Sequence, residues 1–206
     1  MQERALLNAP KKKKPAFGLK TLLQYCFIGD VLIGTKEFEE ALKNISSSDA
    51  KKIARGIAIA AHIEQESMDY YSKQAERFSD AQMRDFFVFL AGQEKEHFTT
   101  INALKKSLEK NGKWIEPKIL AKKHAGFFAK KDWDKEQSAG EGITAILFAL
   151  WKEKQAREFY LGIVARTKNA AGKRFFSALA DFEKGHAEML ESFVENSYYT
   201  QELIMG

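Results

Sequence analysis

The chain has 206 residues, 45% hydrophobic and 30% charged, with only 3 prolines, which is enough apolar material to bury one full core in a helix-rich composition. No uninterrupted apolar run approaches the ~18 residues of a membrane span, and the best candidate, LLQYCFIGDVLIG at 22–34, is short and carries Asp30. A single cysteine, Cys26, excludes an intrachain disulfide framework and any four-cysteine iron or zinc site.

The amino terminus, MQERALLNAPKKKKP, lacks the apolar core of a signal peptide, and a reducing, cytoplasmic setting is expected. Part of the +5 net charge comes from the KKKK run at 11–14. One short basic run without interleaved aromatics reads as a solvated tail, so nucleic acid is not expected as a partner. Residues 1–46 form an amino-terminal extension, partly helical in LKTLLQYCFIGDVL and TKEFEEALK or mobile.

From there the chain is helical. SSSDA at 46–50 supplies favoured caps for a helix running to about Phe78, with Ile53, Ile57, Ala60, Glu64, Ser67 and Tyr71 on one seam. Ser79 and Gln82 have capping-box spacing and open a second helix to about Lys110, ended by Asn111-Gly112. Residues 112–137, with Trp114, Pro117, His124, Phe127-Phe128 and Trp133, show no clean period and read as a long crossover. Ser138 and Glu141 form another capping box for a third helix to about Lys168, and KRFFSALADFEKGHAEMLESFVE supplies the fourth. No strand-like alternation interrupts them. The predicted fold is all-α: an antiparallel four-helix bundle over 47–200 with one crossover, built from hairpins 50–111 and 138–198.

The stretch LAGQEKEHFTT (90–100) breaks the pattern of its helix. That helix's seam runs Met83, Phe87, Leu90, then Ile101, Leu104 and Leu108, but its two central positions are Glu94 and His97. The other half repeats the anomaly. An offset of 89 residues carries Glu64 onto Glu153, Glu94 onto Glu183, His97 onto His186 and Tyr71 onto Tyr160, while Tyr70 falls on Phe159. Glu153 sits in the seam Ile146, Ala149, Ala156, Tyr160, Ile163; Glu183 and His186 interrupt Phe176, Leu179, Leu190, Phe193. Steps of three and four keep one helix face, so each E-x-x-H aims both side chains into one layer of the bundle.

Buried, unpaired carboxylates cost several kcal/mol each, and four facing one another add repulsion. No Lys or Arg occupies the seams at this level. Two divalent cations balance four carboxylates, with the imidazoles as neutral ligands. The predicted metal ligands are therefore Glu64, Glu94, His97, Glu153, Glu183 and His186. An isolated E-x-x-H is common in helical proteins; agreement of both halves in type, spacing and seam position is what makes the signal specific.

The ligand set resembles the ferritin-like di-iron carboxylate superfamily: one Glu from each of two helices plus Glu-x-x-His from each of the other two. The segments IEQESMDYY (63–71) and WKEKQAREFY (151–160), followed by QEKEH and FEKGH, resemble its rubrerythrin branch, and the resemblance covers roughly residues 50–197. It implies a non-haem di-iron centre cycling between ferrous and ferric states with peroxide or O2. Glu94 and Glu183 would bridge or flank the metals, Glu64 and Glu153 would be terminal, and each histidine would complete one set, while the resemblance leaves open which Glu pair bridges. Hard oxygen donors with some imidazole suit iron or manganese, including a mixed Mn/Fe pair. Two features depart from the branch. Rubrerythrins usually carry a rubredoxin module with two CxxC pairs, whereas this sequence has one cysteine, so a separate donor such as a rubredoxin-like protein is expected. The additional Glu that typical rubrerythrins place three residues after the third helix's ligand is Ala156 here, with Ser67 at the matching position of the first helix.

Peroxide or O2 reduction is the leading expectation, with Fe2+ oxidation or storage of the ferritin class as the alternative. A bundle whose metal is structural and whose role is binding is the third. Tyr71 and Tyr160, two turns beyond Glu64 and Glu153, read as core aromatics or as partners of the ligands and electron relays. His62 and His124 are expected at the surface, and Cys26 as an inert thiol. The apolar character of residues 17–34 points to a homodimer or larger assembly.

Overall fold

A computed structural model describes residues 36–116 and 141–204. The KKKK run, residues 17–34, Cys26, His124, Ser138 and most of the expected crossover lie outside them. The described residues contain five helices and no strand: α1 (Lys36–Ile45), α2 (Ala50–Arg77), α3 (Ala81–Asn111), α4 (Glu141–Arg166) and α5 (Ala170–Ile204). None is long and apolar enough to cross a membrane.

The helix ends follow local chemistry. Asp49 caps α2 by accepting from the Lys51 N–H at 2.8 Å, and its own N–H donates to Ser47 Oγ at 3.0 Å. The start of α3 differs from the expected Ser79–Gln82 box. Asp80 is the cap, its carboxylate accepting from the Met83 N–H at 2.7 Å. A carboxylate also complements the positive end of the helix dipole, which a serine hydroxyl does not. Gly112 ends α3 as expected, at φ 68° with its N–H donating to Leu108 O. The fourth bundle helix starts at Ala170, earlier than the apolar pattern indicated, because Asn169 Oδ1 accepts from the Gly172 N–H at 3.0 Å.

Short turns at 78–80 and 167–169 make α2–α3 and α4–α5 antiparallel hairpins. Across the bundle, the Tyr71 hydroxyl reaches Glu153 while Tyr160 reaches Glu64; α2 and α4 are therefore antiparallel. It follows that α3 and α4 run parallel. The chain between them must return the length of α3, about 46 Å for 31 residues, before α4 begins. That is the single crossover of a ferritin-like bundle.

Every apolar seam position named above is buried. The core is nevertheless two cores. One gathers Ile57, Ile101, Leu104, Phe159, Ile163 and Phe176; the other gathers Phe87, Leu90, Ile146, Ala149, Leu190 and Phe193. The layer between them holds the acidic residues and the two histidines.

Helix α1 belongs to the first core. Ala41, Leu42 and Ile45 are at most 2% exposed and pack with it. The close approach depends on Gly56, where an added Cβ would lie 2.5 Å from Ile45 Cγ1 and 2.6 Å from the Ala41 carbonyl oxygen. Gly56→Ala is expected to lower the melting temperature, since a gain of about 1 kcal/mol in helix propensity is smaller than the cost of overpacking, about 1–3 kcal/mol. Thermal denaturation followed by circular dichroism reads the sign.

Candidate metal centre

Four helices each deliver part of one site. Glu64 comes from α2, Glu94 and His97 from α3, Glu153 from α4, and Glu183 and His186 from α5. All six are at most 1% exposed. The glutamates reach the same layer because a stripe of apolar residues above and below them locks each helix's rotation. Replacing the seam leucines on either side would free that rotation; replacing surface residues would not.

His97 Nδ1 lies 3.4 Å from Glu64 Oε2, 3.4 Å from Glu94 Oε2 and 3.3 Å from Glu183 Oε1. His186 Nδ1 lies 3.2 Å from Glu153 Oε2, 3.1 Å from Glu94 Oε1 and 3.4 Å from Glu183 Oε2. The two imidazoles stack with centroids 5.5 Å apart. Two sets of four potential ligand atoms result, Glu64/Glu94/His97/Glu183 and Glu94/Glu153/Glu183/His186, each set within 4.8 Å. Glu94 and Glu183 are common to both and turn one oxygen to each imidazole. The sequence left open which pair is shared; the geometry singles out this one.

The two tyrosines cross over between hairpins. Tyr71 donates to Glu153 Oε1 and Tyr160 donates to Glu64 Oε1. Each therefore fixes the unshared glutamate of the opposite half, leaving that carboxylate's other oxygen turned toward the imidazole. Spacing along the chain could find these tyrosines but not their partners. Removing such a support typically costs 10–100-fold in metal affinity, so Tyr160→Phe is expected to weaken one metal position by about 10-fold or more, measured by competitive titration with a chelator. Ser67 and Ala156 are buried on the same two helices. His62 is on the surface, 3.2 Å from Glu66.

The electrostatics of the layer are set by burial and by the crowding of like charges. Burial, then the charges of Glu183 and Glu94, push the Glu64 carboxyl well above the usual carboxylate range. Burial, then Glu94 and Glu183, do the same to Glu153. Burial works against a charged imidazole, but Glu183 on His97 and Glu153 on His186 outweigh it, and both histidines are raised. Glu94 is lowered: burial pushes it up, and the surrounding Glu64, His186 and His97 more than reverse this. Glu183 is lowered too, burial and Glu94 being outweighed by Glu153, His97 and His186. The raised carboxyls favour their protonated form and the raised imidazoles their charged form, so protons on Glu64, Glu153, His97 and His186 offset the crowded negative charge. Two divalent cations with four carboxylates and two neutral imidazoles are neutral.

Those protons do not satisfy the site. Glu64 Oε2, Glu94 Oε1, both oxygens of Glu183 and both ring nitrogens of His97 are buried without a hydrogen-bond partner. Buried polar atoms are normally partnered, and these orphans belong to residues of the two four-residue sets. Residues 57–194 match the family model described as Rubrerythrin. The chain belongs to the rubrerythrin family. No curated protein and no solved structure matches it. Rubrerythrins typically bind iron, and the buried carboxylate and imidazole groups of this member fit a di-metal site. The orphaned atoms are of the donor types that such ions take, hard oxygen with some imidazole nitrogen. With one cysteine among its 206 residues, this rubrerythrin-family chain includes no two-CxxC rubredoxin module.

Proposed function

We propose that this rubrerythrin-family protein is a non-haem di-iron oxidoreductase that reduces hydrogen peroxide or O2 with electrons from a separate donor of rubredoxin type. In this reading Glu64 and His97 would hold one ion, Glu153 and His186 would hold the other, and Glu94 and Glu183 would serve both. The observation that carries it is the shared pair: two buried four-residue sets with two carboxylates in common. Bound there, two adjacent iron ions supply the two electrons that a peroxide O–O bond needs.

The chain's own residues do the rest. The apolar cores above and below the layer exclude water, strengthening every charge interaction inside it. Tyr71 and Tyr160 hold Glu153 and Glu64 by one oxygen each, so the other oxygen is oriented before any ion arrives. That preorganisation reduces the rearrangement needed on redox change.

The direct test is stopped-flow spectroscopy of the anaerobic ferrous protein. Oxidation by peroxide much faster than by air-saturated buffer is expected; equal or faster reaction with O2 would count against peroxide as the substrate. A second reading, Fe2+ oxidation of the ferritin class, is favoured by the buried Ser67 and Ala156, which stand where typical rubrerythrins have scope for an additional Glu. It requires turnover of many Fe2+ per chain, and its storage version also requires a large shell detectable by light scattering.

A further inference from the structure

From the layer to the surface, aromatic rings of α2 and α4 are in consecutive contact. Tyr71, whose hydroxyl holds Glu153, packs edge-on against Tyr70 with centroids 5.5 Å apart. Tyr70 lies 4.7 Å from Phe148, and Phe148 stacks on Trp151 at 5.9 Å and 23°. Tyr71 is fully buried, whereas Tyr70, Phe148 and Trp151 are each partly exposed. Tyr70 is itself held in place by its hydroxyl, which donates to Ala145 O at 3.0 Å.

The repeat does not account for this row. Under the offset that relates the two halves, Tyr70 corresponds to Phe159, Phe148 to Ile59 and Trp151 to His62. The layer is nearly two-fold symmetric, yet the ladder leaves from one side. The other tyrosine has a sparser exit: Tyr160 stacks on Phe176 at 5.9 Å, and Phe176 meets Trp114 at 6.4 Å and 85°. Both contacts in that tyrosine-to-tryptophan path are at least as wide as those on the first side.

We propose that Tyr71, Tyr70, Phe148 and Trp151 form a one-electron path between the metal centre and the protein surface, with Trp151 as the outer terminus. The inference rests on the di-iron reading, because the oxidant is peroxide reduced at the metal pair. Peroxide needs two electrons and two protons to become two waters, and it takes one electron in each of two passages. Each passage moves one electron inward. Oxidation of Tyr71 breaks its O–H bond, and the proton goes to Glu153 Oε1 along the hydrogen bond already present. An electron from the Trp151 indole, carried through Tyr70 and across the Phe148 ring, reduces the tyrosyl radical, which takes the proton back. The indole is left as a radical cation, and a one-electron reductant in solution fills it. Neither Phe148 nor Tyr70 is oxidised; their rings bridge Tyr71 and Trp151, and Tyr70 keeps its proton in the bond to Ala145 O. An exit of this kind lets an external donor serve a centre that no donor can touch.

The experiment uses the full chain loaded with iron, its metal content measured first. Peroxide is added without reductant, the sample is freeze-quenched for electron paramagnetic resonance, and peptides are mapped by mass spectrometry. The wild type is expected to show an indole radical and oxygenated products at Trp151. Trp151→Phe is expected to lose that signal, retain a tyrosyl signal and be quenched more slowly by ascorbate, at unchanged iron content. Phe148→Leu, which keeps the tryptophan, is expected to lose oxidation at Trp151. Zinc-loaded protein, which has no redox chemistry, is expected to show none. Equal oxidation of Trp151 in the zinc form, oxidation at Trp114 in its place, or an unchanged radical in Trp151→Phe would overturn the path while leaving the di-iron reading intact. A wild type that binds no iron would overturn both.

Discussion

Glu94→Ala is expected to lose tight binding of both ions, whereas Glu64→Ala and Glu153→Ala each keep one of the two positions. Glu94 turns Oε2 to the His97 side and Oε1 to the His186 side, so its removal takes a ligand from each set. Glu64 and Glu153 each belong to one set only. Loss of a direct carboxylate ligand costs at least as much as loss of an outer partner, about 10–100-fold in affinity. In Glu94→Ala that loss falls on both positions at once. Metal analysis after gel filtration, with circular dichroism to verify the fold, distinguishes the three variants. Two ions retained in Glu94→Ala would show that it does not bridge. Activity should follow metal content.

The pH dependence of stability is expected to have opposite signs with and without metal. A group whose folded-state pKa is raised contributes stability below its unfolded pKa and loses it as pH rises through the folded value. Glu64, Glu153, His97 and His186 are all raised. The loss therefore begins above about pH 4.3 for the carboxyls and about pH 6.5 for the imidazoles. Glu94 and Glu183 are lowered, so they are already ionised in both states above about pH 5.5 and contribute no slope there. The metal-free protein should therefore become less stable between about pH 5.5 and 8.

Ions bind the deprotonated forms, so binding displaces those protons and tightens with pH. Saturation should release about four protons, one each from Glu64, Glu153, His97 and His186. An ion at about 100 times its dissociation constant adds about 2.7 kcal/mol of stability per site. Melting temperatures of metal-free and manganese-loaded protein should consequently diverge as pH rises, manganese serving because it does not oxidise in air under these conditions. Isothermal titration calorimetry in two buffers of different ionisation enthalpy counts the protons. Convergence of the two melting curves at high pH would contradict the assignment of protons to the layer.

How far each feature was legible in the sequence follows from the range of the interaction that decides it. Spacings of three and four residues act within one helix, so Glu94 with His97, and Glu183 with His186, could be placed in the core from the sequence alone. The duplication at an offset of 89 then paired the halves. Capping was legible to within one residue: the cap of α3 is Asp80 and not Ser79, because adjacent residues compete for the same backbone N–H groups and the stronger acceptor takes them. The docking of α1 was not legible. Its apolar residues Ala41, Leu42 and Ile45 cover a surface opened by Gly56, a residue that carries no apolar signal.

By itself, then, the sequence determined the helical class, the six acidic and imidazole residues, and their common depth in the bundle, all of them consequences of helical periodicity and charge balance. Tertiary structure alone decided that Glu94 and Glu183 are shared, that each tyrosine holds the opposite hairpin's glutamate, and that a row of rings leads from Tyr71 to Trp151. Those relations are distances between atoms on different helices, and they depend on the packing angle and rotation of each helix against its neighbours, quantities that no spacing along one chain segment encodes.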